Sequence, residues 1–461
     1  MSSTAPLIGR LSQIFSPRHC ILLTSILFAL GGLLTSRAHS FASFIAGRVV
    51  SGVGGAGVLT LSLILVLELS TKKSRGLFIG LVNAGYTSGV SLGALVAGAV
   101  VPRFGWRVAF TGQVPLALAA GVIVFLSLPS HFHGGSGKGD AGLYEKAKRV
   151  DYTGALLLTS TLVLFLYGIS SPKIQYLPIL LSLPLLPLFV AHELYFATEP
   201  LIPIALLKSR AVLLACLAQL GFMSVRWTVL FFTPIYALSV LFLSPARAGS
   251  VLIPTNLGFA LGGLLAGALH IKRSGSFYLA SVLSFLAFAG SIAALAWLVQ
   301  RDLGGWLALT AVVFACGLAT GAGINYTLAH VLHLTSPSTH FMASSLLATF
   351  RGFAGSFGSS VGGGYFIRVL RTQLERRLGG YAGSEEMIER LLGSPEAVGG
   401  LPWEYQGLAR RAYVDALAGL WWVAAGVALF CCLLQAGTGW TAAEEEAAEV
   451  AEAGDDEEGR P

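Results

Sequence analysis

About a dozen apolar stretches of roughly 17–27 residues run from Cys20 to Gln435, separated by short polar joints that carry most of the charge. The hydrocarbon core of a bilayer is ~30 Å thick, and a helix rising ~1.5 Å per residue needs about 20 apolar residues to cross it. A soluble chain of 461 residues cannot hide so many long apolar runs in its cores; it breaks them into shorter amphipathic elements. Only 11% of residues are charged, and the mean hydropathy is +0.74. The sequence therefore predicts an all-α, polytopic integral membrane protein. Windows of about 19 residues place spans near 19–35, 42–68, 76–101, 109–128, 152–170, 177–195, 211–240, 248–270, 277–299, 306–331, 343–367 and 412–435. The first eight residues read as the tail of a further, partial span.

Orientation follows from the Lys/Arg bias of short loops. Alternate joints carry Arg10 and Arg18; Lys72, Lys73 and Arg75; Lys138, Lys146, Lys148 and Arg149; Lys208 and Arg210; and Lys272 and Arg273. The opposite joints hold Arg37, Arg103, Arg107, Lys173, Arg247 and Arg301. The richer set is assigned to the cytosol. The Gly- and Lys-rich segment 130–150 reads as a cytosolic linker, and 368–411 as a long non-cytosolic loop containing surface helices. The segment 436–461 packs nine acidic residues between Glu444 and Glu458 and reads as a disordered cytosolic tail. Taking out that tail leaves a strongly basic body, which loop charge explains without nucleic acid. Cys20, Cys216, Cys316, Cys431 and Cys432 sit in or beside apolar runs, so no disulfide framework is expected. For Cys431-Cys432, buried packing is weighed against palmitoylation. Cys20–Leu34 is taken as an uncleaved helix rather than a signal peptide, because so many spans follow.

Gly52-Val-Gly54-Gly55-Ala-Gly57 fits the glycine string of dinucleotide sites, which works only where a strand turns into a helix. Here it lies within a continuous apolar span, so close helix packing is the better account. The same reasoning covers Gly85, Gly89, Gly93 and Gly98, the ladder from Gly258 to Gly267, and the glycines at 352–364.

A guanidinium within a span costs roughly 2.5–3.5 kcal/mol at the helix centre on insertion scales. Arg48, Arg226 and Arg351 must therefore face protein or water. A functional role is favoured for Arg48, whereas for Arg226 and Arg351 function and carbonyl pairing stand equal. Interfacial pairing is favoured for Asp415 and Glu68. Asn83, Gln113, Asn256 and Asn325 line a cavity or glue helices together, the latter worth about 0.6 kcal/mol each. His131-x-His133 lacks a third metal ligand, and no Ser/His/Asp grouping or carboxylate pair supports an enzyme.

A weak internal repeat is visible. Gly9-x-Leu11 ending in Ser16-Pro17-Arg18 echoes Gly267-x-Leu269 ending in Arg273-Ser274-Gly275, as two parallel halves of a transporter would leave. Several motifs together carry a resemblance: Gly9-Arg10-Leu11 through Arg18, Arg48-Val-Val-Ser51-Gly52-Val-Gly54, and Gly89-x-x-x-Gly93-Ala94-x-x-Ala97-Gly98. Further ones are Gly105-Trp106-Arg107 with Gln113-Val-Pro115, Arg149-Val-Asp151, Leu201-Ile-Pro203, Arg351-Gly-Phe-Ala-Gly355 and Tyr413-Val-Asp415. The chain resembles the major facilitator superfamily in its fourteen-span drug:proton antiporter branch, and most of all the fungal vacuolar (basic) amino-acid permeases.

That resemblance implies two helix bundles, 1–129 and 211–435, joined through two extra spans at 151–196. It implies proton coupling at Arg48, a gating loop of Gly9, Arg10, Leu11 and Arg18 with Glu68, and a cavity drawn from Asn83, Gln113, Arg226, Asn256, Asn325 and Arg351. It implies a monomer in the lipid bilayer that takes a small-molecule substrate and protons, with no cofactor and no nucleic acid. The vacuolar membrane is favoured, and the plasma membrane, with drug or toxin efflux, is the alternative. The departures also matter. Gln13, Ser16 and Pro17 stand where the loop motif has Asp, Gly and Arg. Ser51 replaces Gln, Ala94 replaces Pro, and the family's acidic first span lies before the chain's start. A non-transporting remnant is the third possibility.

Overall fold

A computed structural model describes residues 4–70, 75–128, 151–197, 201–202, 204–271, 277–303, 305–336, 339–381 and 383–439. The 130–150 linker, with His131 and His133, and the acidic run of the tail lie outside them. The described chain is helical: α1 Ala5–Ile14, α2 Pro17–Ser36, α3 Phe41–Leu69, α4 Arg75–Ser127, α5 Tyr152–Ser170, α6 Tyr176–Tyr195, the short α7 Ile204–Leu207 and α8 Arg210–Ser239. There follow α9 Pro245–Ser250, α10 Leu252–Leu265 with a wide π turn at Ala266–His270, α11 Tyr278–Gln300, α12 Trp306–His333, α13 His340–Leu378, α14 Ser384–Gly393, a 3-10 turn at Pro395–Gly400, and α15 Trp403–Ala436.

Among the described residues, 10 helices are long and apolar enough to cross a bilayer. The dozen expected spans differ from that number in two places. Spans 76–101 and 109–128 form one 53-residue element that kinks at Gly105, where φ is 78° and ψ 163°. That backbone region is open essentially to glycine alone. In α13, Arg351 and a run of Gly and Ser thin out the apolar residues, so that helix falls outside the ten. The stretch read as the tail of a further span falls in α1. The outer surfaces carry exposed Leu116, Leu156, Leu180 and Leu283, an apolar coat suited to lipid rather than water.

Three buried clusters organise the interior. Ile8, Ile21, Ala56, Leu61, Leu65 and Leu128 join α1–α4. A larger cluster joins α8, α11, α12, α13 and α15, with Phe222 packed on Phe285 and Phe288 at centroid distances of 4.1 and 4.4 Å. A third ties α5 and α6 to the second body through Leu158, Phe189, Leu346 and Phe353. Arg368 reinforces this attachment by donating to Ile169 O at 2.8 Å and Ser171 O at 3.1 Å. Cys431 and Cys432 are buried within the second cluster, which is the packing role.

Segment 368–411 is more helical than a loop. α13 runs on to Leu378 because Leu370, Leu374 and Leu378 form a buried i, i+4 stripe against Ile388, Leu391 and Val398. The result is a small cap with a water-soluble character, laced by Arg371–Glu389 at 2.6 Å and by the Arg377–Asp415 pair. Asp415 is therefore paired at the edge of its span. Arg410 clamps the cap to its neighbours, donating to Val240 O at 3.0 Å and through both terminal nitrogens to Asp302 at 2.8 and 2.7 Å.

These bonds hold the Asp302 carboxyl below its usual 3.8. Because the folded value is depressed, the stabilisation is present above the unfolded pKa and is lost as pH falls through the folded one. The pair is partly exposed, so the effect is small. Asp302→Asn should lower the melting temperature in detergent at neutral pH, and the gap to the native chain should close as pH falls below about 3.8; a gap independent of pH would contradict the assignment. A second comparison separates packed from open glycines. A Cβ on Gly317 would fall 1.9 Å from Thr255 O, whereas nothing lies within 4 Å of one on Gly89. Gly317→Leu should destabilise by at least about 1–3 kcal/mol, and Gly89→Ala should be neutral or stabilising by up to about 1 kcal/mol in the same melts.

Candidate functional site

Arg226 sits near the middle of α8 and is only 4% exposed. A cation so placed needs partners, and α10 supplies them from one face. Arg226 Nη2 donates to Asn256 Oδ1 at 2.7 Å, Nη1 lies 3.5 Å from Thr255 Oγ1, and the guanidinium carbon stands 4.5 Å from the Phe259 ring centroid. Asn256 then uses its other end. Its Nδ2 donates to Ser91 Oγ on α4 at 2.7 Å, and that hydroxyl is 3.2 Å from both Thr87 O and Leu252 O. A polar chain therefore crosses from the second helix bundle into the first.

Small residues bring these helices within reach. Gly258, Gly262, Gly317 and Gly321 stand where an added Cβ would fall about 2 Å from a carbonyl oxygen of the facing helix, so α10 and α12 touch backbone to backbone. This contact fixes Thr255 and Asn256 in front of Arg226. A second close contact joins the bundles. A Cβ on Gly98 would lie 2.5 Å from Pro245 O, and one on Gly249 would lie 2.6 Å from Ala94 O.

Arg351 approaches the same region from α13, where it is half-buried. Tyr86, just over one turn before Ser91 on α4, interacts electrostatically with both Arg351 and Arg226. Tyr86 itself is 42% exposed. A separate depression of about 420 Å³ at the α2–α3 turn, lined by residues such as Arg37 and His39, includes none of these side chains.

The other expected residues lie in different places. Arg48 is exposed on α3, with its guanidinium carbon 5.2 Å from the Phe110 ring centroid; it does not join the Arg226 group. Gln113 is exposed on the second part of α4. Asn325 donates to Gly321 O at 3.0 Å and lies 3.5 Å from Gly263 O, which is the glue role between α12 and α10. Arg18 donates to Phe125 O at 2.9 Å and stacks on that ring, tying α2 to α4 within one bundle. A Cβ on Gly9 would lie 3.6 Å from Thr60 Cγ2 of α3, and Leu11 is half-buried. The side chains of Arg10, Glu68 and Asn83 lie outside the described residues.

Among the expected packing glycines, Gly54 presses on Phe28 N, where a Cβ would come within 2.3 Å, and Gly98 meets Pro245. Gly52 is half-buried on α3. At Gly89 and Gly93 nothing lies within 4 Å, so no neighbour requires glycine there. Tyr86, Ser91, Thr255 and Phe259 escaped sequence reading. Ser91, a lone hydroxyl between Gly89 and Gly93 in an apolar helix, was the available signal.

The model of the Major Facilitator Superfamily matches residues 1–359. The chain belongs to this superfamily. It is 29% identical over 427 residues to the vacuolar membrane amino acid uptake transporter fnx2 of Schizosaccharomyces pombe, covering 90% of this chain and 71% of the relative. It is 26% identical over 435 residues to the multidrug resistance protein fnx1 of the same yeast, covering 92% and 80%. Among solved structures, a bacterial homolog of the human lysosomal transporter Spinster, inward-facing and occupied, superposes with TM-score 0.54 at 13% identity over 96% of this chain and 91% of that one. At this identity the likeness concerns the fold alone.

In this superfamily member, Asn256 is the joint between the buried cation and the other bundle. Asn256→Ala should cost about 1.5–3 kcal/mol, the worth of a hydrogen bond to a charged group, and should destabilise more than Ser91→Ala. Equal melting temperatures for the two variants would show that the Arg226 bond carries little.

Proposed function

We propose that the chain is a secondary active transporter that moves small organic molecules by alternating access, coupled to protons through Arg48, with basic amino acids at the vacuolar membrane as its first candidate cargo. The supporting observation is the Arg226–Asn256–Ser91 chain. It is a polar contact between two separately cored bundles, near the exposed Tyr86. Rocking one bundle against the other exchanges such a contact for water, whereas two fused apolar cores would resist it.

The amino-acid reading draws on the fnx2 likeness and on the sequence motifs. In this reading the Lys/Arg-rich joints face the cytosol, so the α4–α9 contact and the 368–411 cap face the vacuolar lumen. The acidic lumen then supplies protons whose exit drives solute entry. Arg48 lies exposed on α3 with its guanidinium carbon 5.2 Å from the Phe110 ring centroid, and in this reading it responds to protonation elsewhere. The second reading, export of drugs or toxins across the plasma membrane, draws on the likeness to fnx1, which spans 92% of the chain.

Purified protein in liposomes with an imposed pH gradient separates these readings when offered labelled lysine or arginine against cationic dyes, with a tagged copy localised in cells. Arg48→Ala should abolish gradient-driven uptake while expression and membrane insertion stay at native levels. Unchanged uptake would refute its part in coupling.

A further inference from the structure

The helix segments that carry Arg226, Arg351 and the groups acting on them contain no acid to neutralise them. No Asp or Glu occurs between Leu69 and Gly139, between Pro200 and Arg301, or between Leu303 and Leu374. Those intervals include all of α4, α8, α10 and α12, and α13 as far as Leu374. The recorded partners of Arg226 are an amide, a hydroxyl and a ring, and the group acting electrostatically on Arg351 is the Tyr86 phenol. Hydrogen bonds from neutral groups orient a guanidinium without cancelling its charge. Two formal positive charges therefore act on the same exposed phenol, Tyr86, within helices where an uncompensated charge is costly.

We infer that the cavity between the bundles recognises its cargo by an anionic group (a carboxylate, phosphate or sulfonate) held by Arg226 and Arg351. A planar guanidinium presents paired N–H donors that match a carboxylate or phosphate, and the Tyr86 hydroxyl is a further donor at the same place. Arg226 is already held in position by Asn256, so it loses little freedom on binding. Water solvates both cations while the cavity is open. Closing the bundles strips that water away, and a bound anion offsets the loss, so the loaded carrier closes more readily than the empty one. The inference rests on the transporter reading and narrows it. A basic amino acid qualifies through its carboxylate, but its two ammonium groups meet no acid on these helices. Cationic drugs do not fit.

The test is binding to the full chain in nanodiscs of phosphatidylcholine, which contribute no net anionic lipid. Melting temperature is followed against matched acids and amines: glutarate, 5-aminopentanoate and cadaverine as one series, 3-phenylpropionate and 3-phenylpropylamine as the other. The acids should stabilise the protein and the matched amines should not, with the zwitterion in between. Arg351→Gln should weaken acid binding about tenfold or more, Arg351→Lys should restore part of it, and Arg371→Gln on the cap should leave it unchanged. Arg351 is half-buried, so its variants remain informative even if Arg226 variants fail to fold. Amines binding as well as acids, no acid binding, or acid binding indifferent to Arg351→Gln would each overturn the inference. Binding requires no gradient. Acid binding without gradient-driven uptake would leave this site standing and remove the transport reading; uptake of amines in preference to acids would do the reverse.

Discussion

A guanidinium in the membrane interior cannot be left to itself, and much of this molecule is arranged around that constraint. Arg226 donates its hydrogen bonds to Asn256 and Thr255, which ties α10 to α8 through side chains. The α10 residues can stay there because Gly258, Gly262, Gly317 and Gly321 let α12 support them backbone to backbone. In lipid, apolar side chains gain little by meeting one another, and close van der Waals contact does the holding instead. Asn256 then reaches Ser91, so the solvation of one buried charge also sets how the two bundles meet.

The division of labour among the parts follows from their chemistry. Each bundle has its own buried cluster, and the extra pair α5–α6 is fastened to the second by Arg368 and by the Phe189 and Leu346 contacts. Between the bundles the contacts include hydrogen bonds and glycine-to-carbonyl approaches, beside an apolar contact from Leu7. The cap is held as water-soluble proteins are, by a leucine stripe and by ion pairs such as Arg371–Glu389 and Arg410–Asp302. The bundle interiors and the cap carry apolar cores, and the joint between the bundles carries polar groups and glycine.

The sequence made the solvent and the helices legible, because length and apolar density suffice to recognise a span. Gly105 was visible within a motif, although the joining of two spans there depends on its φ of 78°. All three intramembrane arginines could be picked out by cost alone, but cost does not say which helix they face. Arg226 proved to be hydrogen-bonded deep between helices, while Arg48 lies exposed beside Phe110. The same blindness to facing explains Gly89 and Gly93, which look in sequence like Gly98 but meet nothing within 4 Å. It explains Ser91 and Tyr86 too: a hydroxyl in a span is unremarked until a partner helix is placed against it. The sequence predicts surface helices within 368–411, but not that α13 itself runs on into the segment, which it does because its leucines at i, i+4 find a partner.

The central claim is that the space beside Arg226 and Arg351 is wet and enclosed by protein rather than open to lipid. Tyr86 reports on it most directly. In a Cys20→Ser background, Tyr86→Cys in sealed vesicles can be offered a charged, membrane-impermeant maleimide and, separately, an uncharged lipid-soluble one. The account predicts reaction with the charged reagent, slowed when 3-phenylpropionate occupies the cavity. Labelling by the lipid-soluble reagent alone would place Tyr86 against acyl chains and contradict it.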